Sequence, residues 1–160
     1  MTDGSIRPMI EEDIPLITEW MLAIALWQRY GMTEEQIDCE FRAAMHRGDL
    51  LLVADAEEPA VGMAWCMMTG MFGAQPYLKR LGVSPAFSGR KLGHLLLQRV
   101  EREACMLGKR TMFLLVSDFN QDAQRFYGHH GYQHVGVLPD LVLDNVGELI
   151  FSKELASLAY

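Results

Sequence analysis

Leu81-Gly82-Val83-Ser84-Pro85-Ala86-Phe87-Ser88-Gly89-Arg90-Lys91-Leu92-Gly93-His94-Leu95-Leu96-Leu97 is the stretch that decides how this 160-residue chain reads. Its first residues are a strand end, Pro85 stops the strand, and Gly89 and Gly93 open a helix. Leu92, Leu96, Val100, Ala104 and Leu107 then recur at near-helical intervals until Gly108 stops the run. The first turn of a helix offers unpaired N–H groups and the positive end of a dipole, which together bind anionic oxygens. Glycine lets such oxygens approach the backbone with no side chain in the way. Two glycines four apart also fit a plain loop entering a helix. The stretch is no P-loop, lacking the Gly-Lys-Ser/Thr ending, and no dinucleotide fingerprint, lacking the three-glycine spacing.

Downstream lies Ser117-Asp118-Phe119-Asn120-Gln121-Asp122-Ala123-Gln124-Arg125-Phe126-Tyr127-Gly128-His129-His130-Gly131-Tyr132. Asn120, Ala123 and Tyr127 stand three, four and seven apart and share one helix face. An amide, a small residue and a phenol on one stripe suit a ligand lying close against the helix. A capping Asn and a packing Tyr would give the same pattern.

Outward from these stretches, Ser5 to Met9 reads as a first strand. A helix from Ile14 carries two apolar stripes, Ile14-Ile17-Met21-Ile24 and Leu16-Trp20-Ala23-Trp27. Thr33 to Gln36 is a capping box that opens a second helix, ended near Gly48. Leu50 to Ala56 and Val61 to Thr69 form a hairpin about Glu57-Glu58-Pro59. Tyr77 to Val83, Thr111 to Val116, Tyr132 to Val137 and Leu149 to Lys153 read as further strands. Thr111 to Val116 is a continuous apolar run of the kind buried on both faces. No repeat or linker divides the chain, so one domain over residues 1–160 is expected.

The two motifs, in this order and one strand apart, resemble the GNAT superfamily of acetyltransferases over roughly residues 77–135. The family's phosphate motif begins with Gln or Arg, then has Gly at the fourth place and Gly or Ala at the sixth. Here those places hold Ser88, Lys91 and Gly93, so the last alone matches, with the frequent extra glycine present as Gly89. The later Asn–Ala–Phe-Tyr–Gly-Tyr pattern matches throughout. The resemblance implies an α/β (α+β) fold: a mixed, mostly antiparallel sheet of six to seven strands flanked by about four helices.

It also implies roles. Backbone groups of Leu81, Gly82 and Val83 would hold the pantetheine of acetyl-CoA and polarise its thioester. Ser88, Gly89, Arg90, Lys91, Leu92, Gly93 and His94 would cradle its pyrophosphate. Asn120, with Ala123 on the same face, would bond the cofactor arm. Tyr127 would be the general acid for the leaving thiolate, since a phenol of pKa about 10 can donate to it. The implied reaction is direct acetyl transfer to a primary amine in a ternary complex. Non-catalytic acetyl-CoA binding or sensing is the alternative, and loss of the cofactor altogether a third. The family often places its base carboxylate on the strand Tyr77 to Val83, which has none. Asp118, Glu148 and a water chain stay open. Trp20, Trp27, Met63, Trp65 and Met67 would line the acceptor pocket.

The charge is −7 overall, which argues against nucleic acid as a partner. Residues 1–78 carry −9, residues 79–110 carry +6 and residues 111–160 carry −4. The basic segment reads either as a solvated helix face or as the place that meets a polyanion such as CoA. The acidic first half, with its tryptophans, favours an amine acceptor with an apolar or aromatic body. No run of about 18 apolar residues occurs, so no membrane-spanning helix is expected, and the first ten residues lack a signal peptide's basic and apolar regions, so a cytoplasmic protein is expected. Cys39, Cys66 and Cys105 read as reduced, buried thiols. No metal site is expected, because His129 and His130 diverge on a helix and have no partner at ligand spacing. A homodimer is among the oligomeric states left open.

Overall fold

The computed structural model describes residues 4–156. Its elements are β1 (Ser5–Pro8), α1 (Asp13–Leu22), α2 (Ala25–Arg29), α3 (Glu34–Arg47), β2 (Leu50–Asp55), β3 (Gly62–Met71) and β4 (Gln75–Val83). After them come α4 (Leu92–Met106), β5 (Thr111–Ser117), α5 (Gln121–His129), β6 (Gln133–Pro139) and β7 (Gly147–Glu154). The seven strands form one sheet in the order β1-β2-β3-β4-β5-β7-β6. Every neighbouring pair is antiparallel except β4 and β5, which are parallel.

Strand alternation sorts the apolar residues onto two faces. Leu51, Val53, Met63 and Trp65 pack with Ile14, Ile17, Met21, Ile37 and Phe41 beneath α1 and α3. Leu52, Ala54, Ala64 and Cys66 pack on the other face with Leu92, Leu96, Leu97 and Val100 of α4. Leu96 and Leu97 are fully buried, worth about 1.5–3 kcal/mol each over leaving them in water. Of β5, Met112, Leu114 and Val116 are buried while Phe113 and Leu115 are half-buried, so this strand is sealed on one face rather than both.

The expected first helix is two. Ile24 adopts an extended conformation (φ −90°, ψ 125°) between α1 and α2, which makes five α-helices among the described residues. The Gln28 amide donates to the Leu22 carbonyl across the break, satisfying one of the acceptors it frees. Leu16 is 39% exposed, so the second apolar stripe does not persist through α1. The capping box forms as read: Gln36 N–H donates to Thr33 Oγ1 and Thr33 N–H to Gln36 Oε1. Gly48 closes α3 in the left-handed region at φ 78°. All three cysteines are free, but only Cys66 is buried. Cys39 is exposed and Cys105 half-buried, with its thiol donating to Ala156 O.

Candidate active site

β4 and β5 pair at just two positions, Tyr77 with Phe113 and Leu78 with Leu114. Both strands continue, β4 to Val83 and β5 to Ser117, without pairing further. A bulge explains the parting. On β3, Trp65 pairs with Arg80 and the next residue, Cys66, with Leu78, so Lys79 is the extra residue. Bulges bend and twist a strand, and here the bend carries the end of β4 away from β5. The peptide groups of β4 beyond Lys79 keep their bonds to β3 and face an open wedge on the other side.

The wedge widens into a cleft of about 500 Å³. Trp27 and Tyr30 come to it from around α2, Tyr77 and Arg80 from β4, Asn120 and Tyr127 from α5, and Glu148 from β7. The expected helix stripe therefore exists, and Asn120, Ala123 and Tyr127 all line the cleft. Asn120 also caps α5, its Oδ1 accepting from Ala123 N–H at 3.2 Å, so the capping role and the lining role fall on one residue. Tyr127 is 8% exposed. Burial, then the neighbouring Tyr77, pushes its phenol well above the usual tyrosine range, so it stays protonated at neutral pH.

Beyond the end of β4, Ser84 to Lys91 turn the chain into α4. Gly89 has φ 76° and Lys91 φ 61°, both left-handed. Lys91 stands where the family pattern has glycine and carries the steric cost of that conformation, about 1–2 kcal/mol. No side chain caps α4, in contrast to the full capping box of α3. Its first-turn N–H groups are thus open to an anion at the positive end of a 15-residue helix. Leu92 contributes backbone alone, since its side chain is in the core. A Cβ on Gly93 would meet nothing nearer than Phe126 at 3.6 Å, an ordinary contact. The fold itself does not need that glycine, whereas a ligand lying on the helix would. Gly93→Ala is therefore expected to preserve or slightly raise the melting temperature of the free protein and to weaken acetyl-CoA binding, measured by calorimetry.

Several of the residues expected on the cofactor side also bond within the chain. The Arg90 guanidinium pairs with both Glu57 carboxylate oxygens at 2.8 Å and sits 4.9 Å over Phe87. Ser88 Oγ donates to Pro85 O. His94 Nδ1 lies 2.8 Å from His130 Nε2, and His130 Nδ1 lies 2.7 Å from Phe126 O. A carbonyl only accepts, so His130 carries its proton on Nδ1, and in the neutral pair His94 donates from Nδ1. The basic segment is scattered: Lys79 and Arg80 line the cleft, and Lys109 and Arg110 lie beyond the far end of α4, about 22 Å from its start. Arg90 and Lys91 alone stand at the helix entry, so the open N–H groups rather than a dense cationic patch define that site.

Gly82 is required by packing. A Cβ there would lie 2.5 Å from the Trp27 indole, so the ring lies directly against the β4 backbone. Trp27 is the one expected acceptor-side residue that lines the cleft. Met63 and Trp65 are fully buried under α3, Trp20 donates from Nε1 to Ala60 O, and Met67 packs beside that core. Leu26, Tyr30 and Met32 take their place. Sequence offered little to find Tyr30, which follows the unexpected break at Ile24. Arg80 bonds Glu40, lies over Trp65 and Phe41, and keeps Nη1 buried without a partner. Of the two carboxylates considered as a base, Asp118 is exposed and accepts from Gly147 N–H at 2.8 Å, while Glu148 is buried in the cleft wall.

Residues 14–132 match the model of the acetyltransferase (GNAT) family. The chain belongs to this family. Solved GNAT-fold structures superpose along nearly its whole length. Ard1 from Thermoplasma volcanium gives a TM-score of 0.81 at 16% identity, over 96% of this chain and 99% of that one. An acetyltransferase of Salmonella typhimurium, solved with acetyl-CoA, gives 0.76 at 21% over 99% and 98%. The PaiA N-acetyltransferase of Thermoplasma acidophilum, solved with coenzyme A, gives 0.71 at 22% over 95% and 99%. At these identities the shared property is the fold. Among the described residues of this GNAT chain no helix is long and apolar enough to cross a membrane.

Proposed function

We propose that this GNAT chain transfers an acetyl group from acetyl-CoA to a primary amine. The observation that carries the reading is convergence: the unpaired β4 edge and the Tyr127 phenol border one cleft, and β4 leads from it to the uncapped start of α4. These features fit the cofactor. Backbone groups of Leu81 to Val83 would pair with its amide-bearing arm, as a partner strand would, and the α4 entry with Gly89 and Gly93 would take its pyrophosphate. Asn120 would reach the arm from the opposite wall. Acetyl-CoA supplies an acetyl group activated by its bond to sulfur. Tyr127 donates a hydrogen bond, and finally its proton, to the sulfur as that bond breaks. The acceptor enters between α2 and β7, past Trp27 and Tyr30.

The test is release of CoA thiol from acetyl-CoA, followed with a thiol reagent, across aromatic amines, polyamines, amino acids and N-terminal peptides. Amine-dependent release by the wild type, with product confirmed by mass, is the expected result. Tight binding of acetyl-CoA with no release for any amine would instead identify a sensor domain.

A further inference from the structure

Glu148 opens β7, is 5% exposed and lines the cleft. Burying a carboxylate costs several kcal/mol unless partners compensate, and its partners are specific. The Tyr30 hydroxyl donates to Oε1 and also meets Ser117 Oγ, while Ser117 is the cross-strand neighbour of Glu148. Oε2 has no hydrogen-bond partner among the described residues. It is not sealed either, because Arg80 Nη1 is the one sealed and unpartnered side-chain nitrogen or oxygen among them. Oε2 therefore opens into the cleft. The carboxylate has one oxygen held by a clamp and the other presented to whatever enters.

The groups that face it suit a cation. Tyr30 at the end of α2 is pushed up to about 12 by burial and by its bond to Glu148, so it remains a neutral donor. Tyr77 on β4, which lines the same cleft with Tyr127, is raised by burial and then by the charge of Glu148. Arg29 beside Tyr30, Arg80 beyond Tyr77 and Lys79 in the cleft lining are nearby cations; Arg80 is already tied to Glu40, and Lys79 Nζ sits 4.3 Å over the Trp65 ring. The aromatic walls, Trp27, Tyr30 and Tyr77, favour an ammonium group.

We propose that Glu148 receives the acceptor's ammonium group and takes its proton, with Tyr30 as the positioning residue that fixes the carboxylate. The proposal rests on acetyl transfer to an amine in this cleft. One ammonium proton passes to Glu148 Oε2, and the freed lone pair forms the carbon–nitrogen bond as the carbon–sulfur bond breaks. Tyr127 protonates the departing sulfur and is restored by the second proton leaving nitrogen. Glu148 returns its proton to solvent.

The experiment compares wild type, Glu148→Gln and Tyr30→Phe with the best amine from the thiol-release screen, over about pH 6 to 10. Glu148→Gln keeps an oxygen for Tyr30 and should leave acetyl-CoA affinity and melting temperature near wild type. Its kcat/KM at pH 7 should fall about 10²–10⁴-fold. The deficit should shrink about tenfold per pH unit towards the amine's own pKa, about 10.4 for a lysine-like amine, because solvent then supplies free amine. Tyr30→Phe should lose less and keep the wild-type pH profile. Wild-type kcat/KM in Glu148→Gln at pH 7, or a loss of constant size at every pH, would overturn the assignment. If the wild type itself releases no thiol with any amine, acetyl transfer falls and this assignment with it. An active wild type matched by the variant removes Glu148 alone.

Discussion

Tyr127→Phe is expected to lower turnover about 10²–10⁴-fold while leaving acetyl-CoA affinity nearly unchanged. The two effects separate because ring and hydroxyl do different things. The ring is held edge-on by Phe126 at 5.2 Å and by Tyr132 at 5.5 Å, and phenylalanine preserves both contacts. The hydroxyl makes no hydrogen bond among the described residues, so its removal strands no partner. Its loss removes the donor to the departing sulfur and little else. Single-turnover rates and calorimetry on the same variant check the prediction, and equal rates would hand the acid role to water.

Arg7→Ala should cost about 3 kcal/mol, near the low end for breaking a buried pair because Arg7 is itself about a third exposed. Arg7 bonds both oxygens of Asp13, at 2.8 Å each, and both of Asp55. Asp13 starts α1 and is 3% exposed, so the variant leaves a buried carboxylate without its cation. For a domain of this size that means a melting temperature lower by about 6–12 °C at neutral pH. The pH dependence has a definite sign. Burial raises the Asp13 pKa, but the bonds from Arg7 and Ile10 N–H outweigh it and hold it below the ordinary value. A depressed folded-state pKa gives stability that is present above about 3.9, the unfolded value, and lost as pH falls through the folded one. The gap between wild type and variant should therefore close in acid. A gap that is constant with pH, in thermal melts, would show that the loss is packing and not charge.

The fold was readable because its local signals agree with one another. The Thr33–Gln36 box, Gly48 and Gly108 mark helix ends by chemistry that needs no tertiary partner. The continuous apolar runs of β2 and β3 and the Leu92-to-Ala104 repeat report burial directly. What escaped was set by long-range contacts. The break at Ile24 has no proline or glycine to announce it. The bulge at Lys79, which parts the central strands, is a matter of register against β3 and leaves no mark in composition. The motif marks Arg90 as a phosphate ligand, and only the structure adds that Glu57, 33 residues away in sequence, lies against it in space. Trp65 and Met63 are apolar in either role, so their burial under α3 rather than at the cleft needed the register. Glu148 could not be told from a surface acid until Tyr30, 118 residues distant, was placed on it.

The most direct test of the central claim is titration of the wild-type chain with acetyl-CoA by calorimetry, paired with thermal melts. The wedge between β4 and β5 and the open α4 entry predict one-site binding with measurable heat. Acetyl-CoA at about a hundredfold over Kd should add about 2.7 kcal/mol of stability, raising the melting temperature by about 5–11 °C. Affinity should fall as salt rises from about 0.1 to about 1 M, which shortens the screening length from about 10 to about 3 Å. No heat and an unmoved melting temperature at millimolar acetyl-CoA would contradict the account.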